Sequence, residues 1–261
     1  MLRPDLEQII EGVASLVDAP SISLTTNGIG LDSRAVRLRS AGLTRINVSL
    51  DTVDRERFIT LTRRDRIDRV FAGLAAARDA GLDPVKVNTV LMRGVNDDET
   101  VTLVRWALEH GFQLRFIEQM PLDPQHGWSR TDMVTAAEIL EALEAEFVLT
   151  PDSEPRGSEP AETWQVHDVV SGSTGKVGVI GSVTRPFCES CDRVRLTADG
   201  QARNCLFAQT ESDLRGPMHA GIDDAALTHV MRSCLAAKKA GHGIDEPTFL
   251  QPPRPMSAIG G

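Results

Sequence analysis

RINVSL (residues 45–50), VKVNTVL (85–91) and LRFIE (114–118) decide the fold. Each is a short run of apolar, mostly branched residues with single polar residues set between them, the composition of a pleated strand. Between these runs, residues 68–80 and 97–110 carry the marks of helices and stop at Gly81 and Gly111, as helices ending on a glycine cap do. Upstream, residues 4–17 repeat apolar side chains at Leu6, Ile9, Ile10, Val13 and Leu16, a helical period. Residues 21–24 are β-prone, Thr25-Thr26-Asn27-Gly28 then breaks them, and residues 32–41 read as a short helix closed by Gly42. Strand and helix alternating at this spacing predict βαβ units and a parallel sheet. Such sheets bind ligands at the C-terminal ends of their strands. That places Thr25 to Gly28, Ser49-Leu50-Asp51, Asn88-Thr89 and Gln119-Met120 at the candidate site. The chain opens on a helix where a βαβ array opens on a strand, so an exposed parallel edge is expected at that side of the sheet.

The pattern changes near residue 150. PDSEPRGSEP (151–160) has the Pro, Gly, Ser and Glu content of a linker, which predicts two domains, residues 1–150 and 151–261. Beyond it, residues 164–167 alternate apolar and polar, 171–175 are turn-like, and together they predict a hairpin into residues 177–183; a helix follows over 223–239. The 261 residues are 41% hydrophobic and 25% charged, a globular composition. A net charge of −9 argues against a nucleic-acid surface, and no stretch has the length and apolarity of a membrane span or a secretion signal. A cytoplasmic setting is expected, in which thiols stay reduced and cysteines serve as metal ligands rather than disulfides.

Cys188, Cys191 and Cys205 stand at C-x2-C-x13-C spacing. Three readings of this triplet fit the residues. Zinc would take a fourth ligand from Cys234, His219, His229 or His242. A redox C-x-x-C would sit at a helix N-terminus, whereas Arg193-Val194-Arg195-Leu196 reads as extended chain. An iron–sulfur cluster also takes thiolates at short spacings, and three of them leave one iron open. Cys234 on its own reads as a core residue. Arg193 and Arg195 alternate, so a strand points both to one side, where they could clamp phosphates or merely line a solvated face. Lys86 interrupts an apolar strand; either it meets an anion in a polar cavity or it lies at an edge with its ammonium in water. Thr25, Thr26, Asn27 and Ser49 could bind a ligand at strand ends or only shape turns. Gly260-Gly261 could enter a narrow cleft, or simply fray.

Taken together, LTTNG (24–28), INVSLD (46–51), VKVN (85–88), RFIEQM (115–120), FCESCDRVRL (187–196), NCLF (204–207) and the terminal GG resemble the radical S-adenosylmethionine GTP 3′,8-cyclases of molybdenum-cofactor biosynthesis. The resemblance implies an α/β fold, an incomplete (β/α) radical-SAM-type barrel with a smaller C-terminal iron–sulfur cluster domain. It implies conversion of GTP to 3′,8-cyclo-7,8-dihydro-GTP, started by a 5′-deoxyadenosyl radical cleaved from S-adenosylmethionine. By position, Cys188, Cys191 and Cys205 would hold a [4Fe–4S] cluster whose open iron binds guanine. Thr25, Lys86, Arg193, Val194 and Arg195 would contact GTP, while Ser49, Met120 and Asn27 would contact S-adenosylmethionine. Gly260 and Gly261 would be the catalytic tail. A homodimer is implied, with cyclic pyranopterin monophosphate synthase consuming the product. The family's C-x3-C-x2-C motif for a second, N-terminal [4Fe–4S] cluster, and its GGEP-type strand end, are not among these residues. The expectation is therefore an N-terminally shortened cyclase, either inactive alone or read from a misplaced start. The other readings are a non-catalytic metal- or nucleotide-binding remnant and a zinc-stabilised module.

Overall fold

The computed structural model describes residues 3–123 and 125–259. Gly260 and Gly261 lie outside the described residues. By compactness the chain divides into two units, residues 1–118, 134–155 and 161–180 on one hand, and 119–133, 156–160 and 181–261 on the other.

The first unit is a seven-stranded sheet with helices. Its elements run α1 (Leu6–Ala14), β1 (Ser23–Thr26), α2 (Ala35–Ser40), β2 (Arg45–Ser49), α3 (Arg55–Thr62), α4 (Ile67–Asp79), β3 (Val85–Val90), α5 (Thr100–His110), β4 (Gln113–Ile117), α6 (Ala136–Glu144), β5 (Val148–Pro151), β6 (Glu162–His167) and β7 (Thr174–Ile180). The strand order is β1-β2-β3-β4-β7-β6-β5. The pairs from β1 through β4 to β7 are parallel, and β6 and β5 add antiparallel neighbours. The α/β class and the parallel sheet agree with the expectation.

The alternation along the strands fixes which face is core. Ile46 and Val48 of β2, Val85 and Val87 of β3, and Leu114 and Phe116 of β4 are buried. They pack with Leu38 of α2, Val70 and Leu74 of α4, and Leu103 and Ala107 of α5 in one hydrophobic cluster. Each fully buried Leu, Ile or Phe contributes about 1.5–3 kcal/mol over its exposed state. Gly28 follows β1 with φ +77°, and a Cβ on Gly73 of α4 would fall 2.4 Å from the Gly28 carbonyl oxygen. Two glycines thus let the helix seat on the turn that ends β1.

One expectation needs correction, two helices lie where none was expected, and the division by compactness falls elsewhere than residue 150. Thr25 and Thr26 belong to β1, paired with Asn47 and Val48, so the strand breaks at Asn27 rather than at Thr25. The charged segment 55–62 is a helix, α3, started by Asp54, whose side chain accepts from the Arg57 N–H. Residues 136–144 form α6, opened by a Thr135–Glu138 capping box. The boundary at 150 does not match the division by compactness: β6 and β7 belong to the large sheet, with Val177 of β7 opposite Leu114 of β4. Within the supposed linker only residues 156–160 fall in the second unit.

The second unit holds a three-stranded antiparallel sheet, β8 (Arg195–Leu196), β9 (Gln201–Arg203) and β10 (Ser212–Asp213), ordered β10-β9-β8, followed by α7 (Arg215–His219) and α8 (Asp224–Ala236). Asp223 caps α8 by accepting from the Ala226 N–H at 2.8 Å. Among the described residues no helix is long and apolar enough to cross a membrane.

Candidate functional site

The candidate site residues fall into two sets, one in each unit. In the first unit the face of the sheet opposite the hydrophobic cluster is polar. Thr25 stands beside Asn47 and Asn47 beside Lys86; Ser49 stands beside Asn88, Asn88 beside Arg115 and Arg115 beside Gly178. Residues paired across strands share a face, so Thr25, Ser49 and Lys86 lie together on it. Arg115 is the organiser, and nothing in the reading of RFIE marked it. It is buried; its Nε donates to Asn88 Oδ1 at 2.9 Å and its Nη2 to Asn47 Oδ1 at 2.8 Å. Asn47 Nδ2 passes the chain on to Thr25 Oγ1 at 3.2 Å. Gly178 makes room for the arginine, since a Cβ there would lie 3.1 Å from Arg115 Cγ and 3.1 Å from Ala161 Cβ. Lys86 is half-buried on this face.

Several strand-end residues also have structural duties. Thr89 is buried on the other face, its hydroxyl donating to the Leu50 carbonyl at 2.6 Å. Burial pushes the Asp51 carboxyl up, against a hydrogen bond from the Val90 N–H. Asn27 is exposed and its Oδ1 accepts from the Ile29 N–H at 3.2 Å, an Asx turn. Buried Glu118 takes the first N–H of α6, from Ala136, at 2.7 Å, where a carboxylate suits the helix dipole.

The second unit gathers the cysteines. Cys188, Cys191 and Cys205 are free, half-buried thiols that wall one cavity of about 410 Å³, shared with Asn204, Lys238 and His242. The same three line a smaller adjoining cavity of about 70 Å³ with Met120, Phe187, Arg193 and Arg195. Arg193 and Arg195 thus line one cavity, with Val194 half-buried between them and Arg193 just ahead of β8. Arg193 lies over the Phe187 ring at 4.4 Å, and its Nη2 is buried with no hydrogen-bond partner.

Each sulfur has a backbone donor. The Phe207 N–H points at Cys205 Sγ, 3.4 Å away. Burial and the neighbouring Cys205 push the Cys188 thiol up, against a hydrogen bond from the His242 backbone. Burial also raises Cys191, but the Arg193 backbone N–H and guanidinium outweigh it and leave this thiol below its ordinary value. Lys238, just past α8, ties the cysteine loops together: its Nζ donates to the Arg193 carbonyl at 2.8 Å and to the Asn204 carbonyl at 2.6 Å.

Of the four candidates for a zinc ligand, His242 alone lines the cysteine cavity, and its ring nitrogens are engaged by backbone groups. Cys234 is buried with Ala202 and Leu214. His242 accepts at Nδ1 from the Ile244 N–H at 3.1 Å, so its Nε2 donates to the Ser182 carbonyl at 3.0 Å. Burial lowers its basicity further. His219 lies exposed beside Arg215, and His229 is exposed. Among the described residues no three His, Cys, Asp or Glu side chains converge on a point for one metal ion.

With this geometry in hand, comparison with known proteins assigns the class. Residues 1–107 match the Radical SAM superfamily model and residues 112–244 match the Molybdenum Cofactor Synthesis C model. The GTP 3′,8-cyclase of Streptomyces coelicolor is 59% identical over all of this chain and 76% of its own length. The enzymes of that name from Mycolicibacterium smegmatis and Corynebacterium glutamicum are 55% and 53% identical, over 98% and 100% of this chain and 71% of each relative. The chain belongs to the GTP 3′,8-cyclase family of radical SAM proteins.

Proposed function

We propose that the chain belongs to a GTP 3′,8-cyclase of molybdenum-cofactor biosynthesis, the enzyme that turns GTP into 3′,8-cyclo-7,8-dihydro-GTP with S-adenosylmethionine, and that these residues supply its GTP-binding and C-terminal cluster-binding part; the C-x3-C-x2-C cysteines that hold the family's radical cluster are not among them. One observation carries the reading: three free thiols wall one cavity, and two arginines line the cavity that adjoins it. These thiols fit a [4Fe–4S] cluster. Grouped thiolates in a half-buried pocket need a cationic partner, and an amide N–H beside each sulfur supports its charged form. A cluster spreads its thiolates over three irons, so it asks for a wider triangle than one ion would. When bound, such a cluster offers an open iron as a Lewis acid to a purine.

The remaining roles belong to the chain itself. Arg193 and Arg195 have planar, permanently charged forks that suit phosphate oxygens. The unpartnered Nη2 of Arg193 is a donor waiting for one. Lys86 adds a cation on the polar sheet face, and Thr25 a hydroxyl tied to the Arg115 network. Ser49 and Asn27, at the end of β2 and just past β1, with Met120 beside the cysteines, are assigned to S-adenosylmethionine. Gly260 and Gly261 are assigned to the tail that completes the reaction. The product is handed to cyclic pyranopterin monophosphate synthase, and the working form is a homodimer.

Equilibrium binding of GTP to the chain after anaerobic iron–sulfur reconstitution tests the reading. Arg195→Ala and Cys205→Ser are each expected to weaken binding at least tenfold, the loss of about 1.4 kcal/mol. Equal affinity for iron-loaded and iron-free protein would refute it.

A further inference from the structure

Beyond the cysteines, one ion network has no place in the family reading. Arg203, at the end of β9, is the largest fully buried side chain. Its Nη2 donates to the carbonyls of Leu206 at 3.3 Å and Ala208 at 2.6 Å, and so clasps the loop that carries Cys205 from inside. Its Nη1 is ion-paired with Glu211. Glu211 does not stop there. Its carboxylate also takes Arg254, through Nη2 at 2.8 Å and Nε at 2.8 Å. Arg254 belongs to the tail and reaches Asp199 as well, at 2.8 Å and 3.2 Å. On either side of it the tail is fastened again. Gln251 donates to the Asp123 carbonyl at 2.8 Å, the Met256 N–H donates to the Leu122 carbonyl at 3.1 Å, and Ile259 is fully buried with Leu122 and Phe207.

We propose that Arg254 and Glu211 form a latch that couples docking of the C-terminal tail to the shape of the Cys205 loop. Glu211 is the joint. It holds one guanidinium that supports the loop and one that belongs to the tail, so releasing the tail loosens the carboxylate on which Arg203 depends. Buried Arg203 then keeps a full charge with a weakened partner, the costly situation for a buried cation. Both residues are positioning residues. Ile259 is held in place, and the Cys205 sulfur gains a rigid loop. The inference rests on the reading of Cys205 as a cluster ligand only for its spectroscopic readout.

Hydrogen–deuterium exchange on the full chain, with Arg254→Ala and Glu211→Gln, tests the coupling. Arg254→Ala removes only a half-exposed side chain, so the fold is kept. Faster exchange is expected in the tail over residues 255–259 and also in residues 204–208, by about fivefold or more, the size expected from losing about 1 kcal/mol of charge-assisted bonding. Glu211→Gln should do the same. After anaerobic reconstitution, the electron paramagnetic resonance line shape of the reduced protein should change in Arg254→Ala. If only the tail responds and residues 204–208 exchange as in the wild type, the coupling is refuted. If the protein takes up no iron, the cluster reading fails, while the exchange result still decides the latch.

Discussion

Replacing Lys238 with methionine keeps the length of the stem and removes the ammonium that joins the two cysteine loops. The wild-type Nζ donates to the carbonyls of Arg193 at 2.8 Å and Asn204 at 2.6 Å. A hydrogen bond with one charged partner contributes about 1.5–3 kcal/mol in a buried setting. Lys238 is half-buried, so water would recover part of each bond, and the two together come to about 2–3 kcal/mol for the second unit. With a urea dependence of about 1–3 kcal/mol per molar, the unfolding midpoint should drop by about 1 M. Cys234 is 5% exposed and sits in the core of that unit, so pulsed labelling of its thiol across a urea series reports the transition directly. Neighbouring Lys239 is exposed and is the matched control, with Lys239→Met expected within about 0.5 kcal/mol of wild type. Equal midpoints for Lys238→Met and Lys239→Met would refute the claim that this ammonium fastens the cysteine loops.

Gly178→Ala places a methyl 3.1 Å from Arg115 Cγ and 3.1 Å from Ala161 Cβ; the overpacking should cost about 1–3 kcal/mol and weaken GTP binding by displacing Arg115 from Asn47 and Asn88, and unchanged binding and melting would count against the role given to the polar face. Thr135→Ala removes the N-cap of α6 and should lower the stability of the first unit by about 1 kcal/mol in urea, whereas no change would mean that the capping box contributes nothing. Arg254, helped by Thr197, holds the Asp199 carboxyl down from 3.8 to about 2. A carboxyl lowered on folding favours the folded state above its unfolded value and loses that contribution as pH falls through the folded one. The Asp199–Arg254 link should thus be intact at neutral pH and released between about pH 4 and pH 2, and a carbon-detected titration of Asp199 with a midpoint near 4 would contradict it.

The strands that carry the polar face were legible because RINVSL and VKVNTVL alternate apolar with polar residues, and their helices end at Gly81 and Gly111. Helix α3 was hidden by its composition, since RERFITLT offers one buried residue, Phe58, and no clear apolar stripe. Helix α6 carries a local signal, a threonine followed three residues on by glutamate ahead of an apolar run. The hairpin of β6 and β7 could be read locally, but its parallel partner β4 lies some 60 residues upstream, and no local pattern reports that pairing. At the site, the cysteine spacing marked three side chains that share a cavity, and Arg193 and Arg195 line the one beside it. The supporting cast carries no such mark: a lysine after a helix reads as solvated until two carbonyls from distant loops meet it, and Arg115, Arg203 and Glu211 acquire their roles only in three dimensions.

In the proposed function, three cysteines present an open iron to a purine. Iron and acid-labile sulfide analysis of the anaerobically reconstituted chain, with electron paramagnetic resonance of the reduced protein before and after GTP, tests it most directly. About four irons per chain, a spectrum that shifts on adding GTP, and loss of both in Cys205→Ser are expected. A colourless protein holding one zinc, or a spectrum indifferent to GTP, would contradict it.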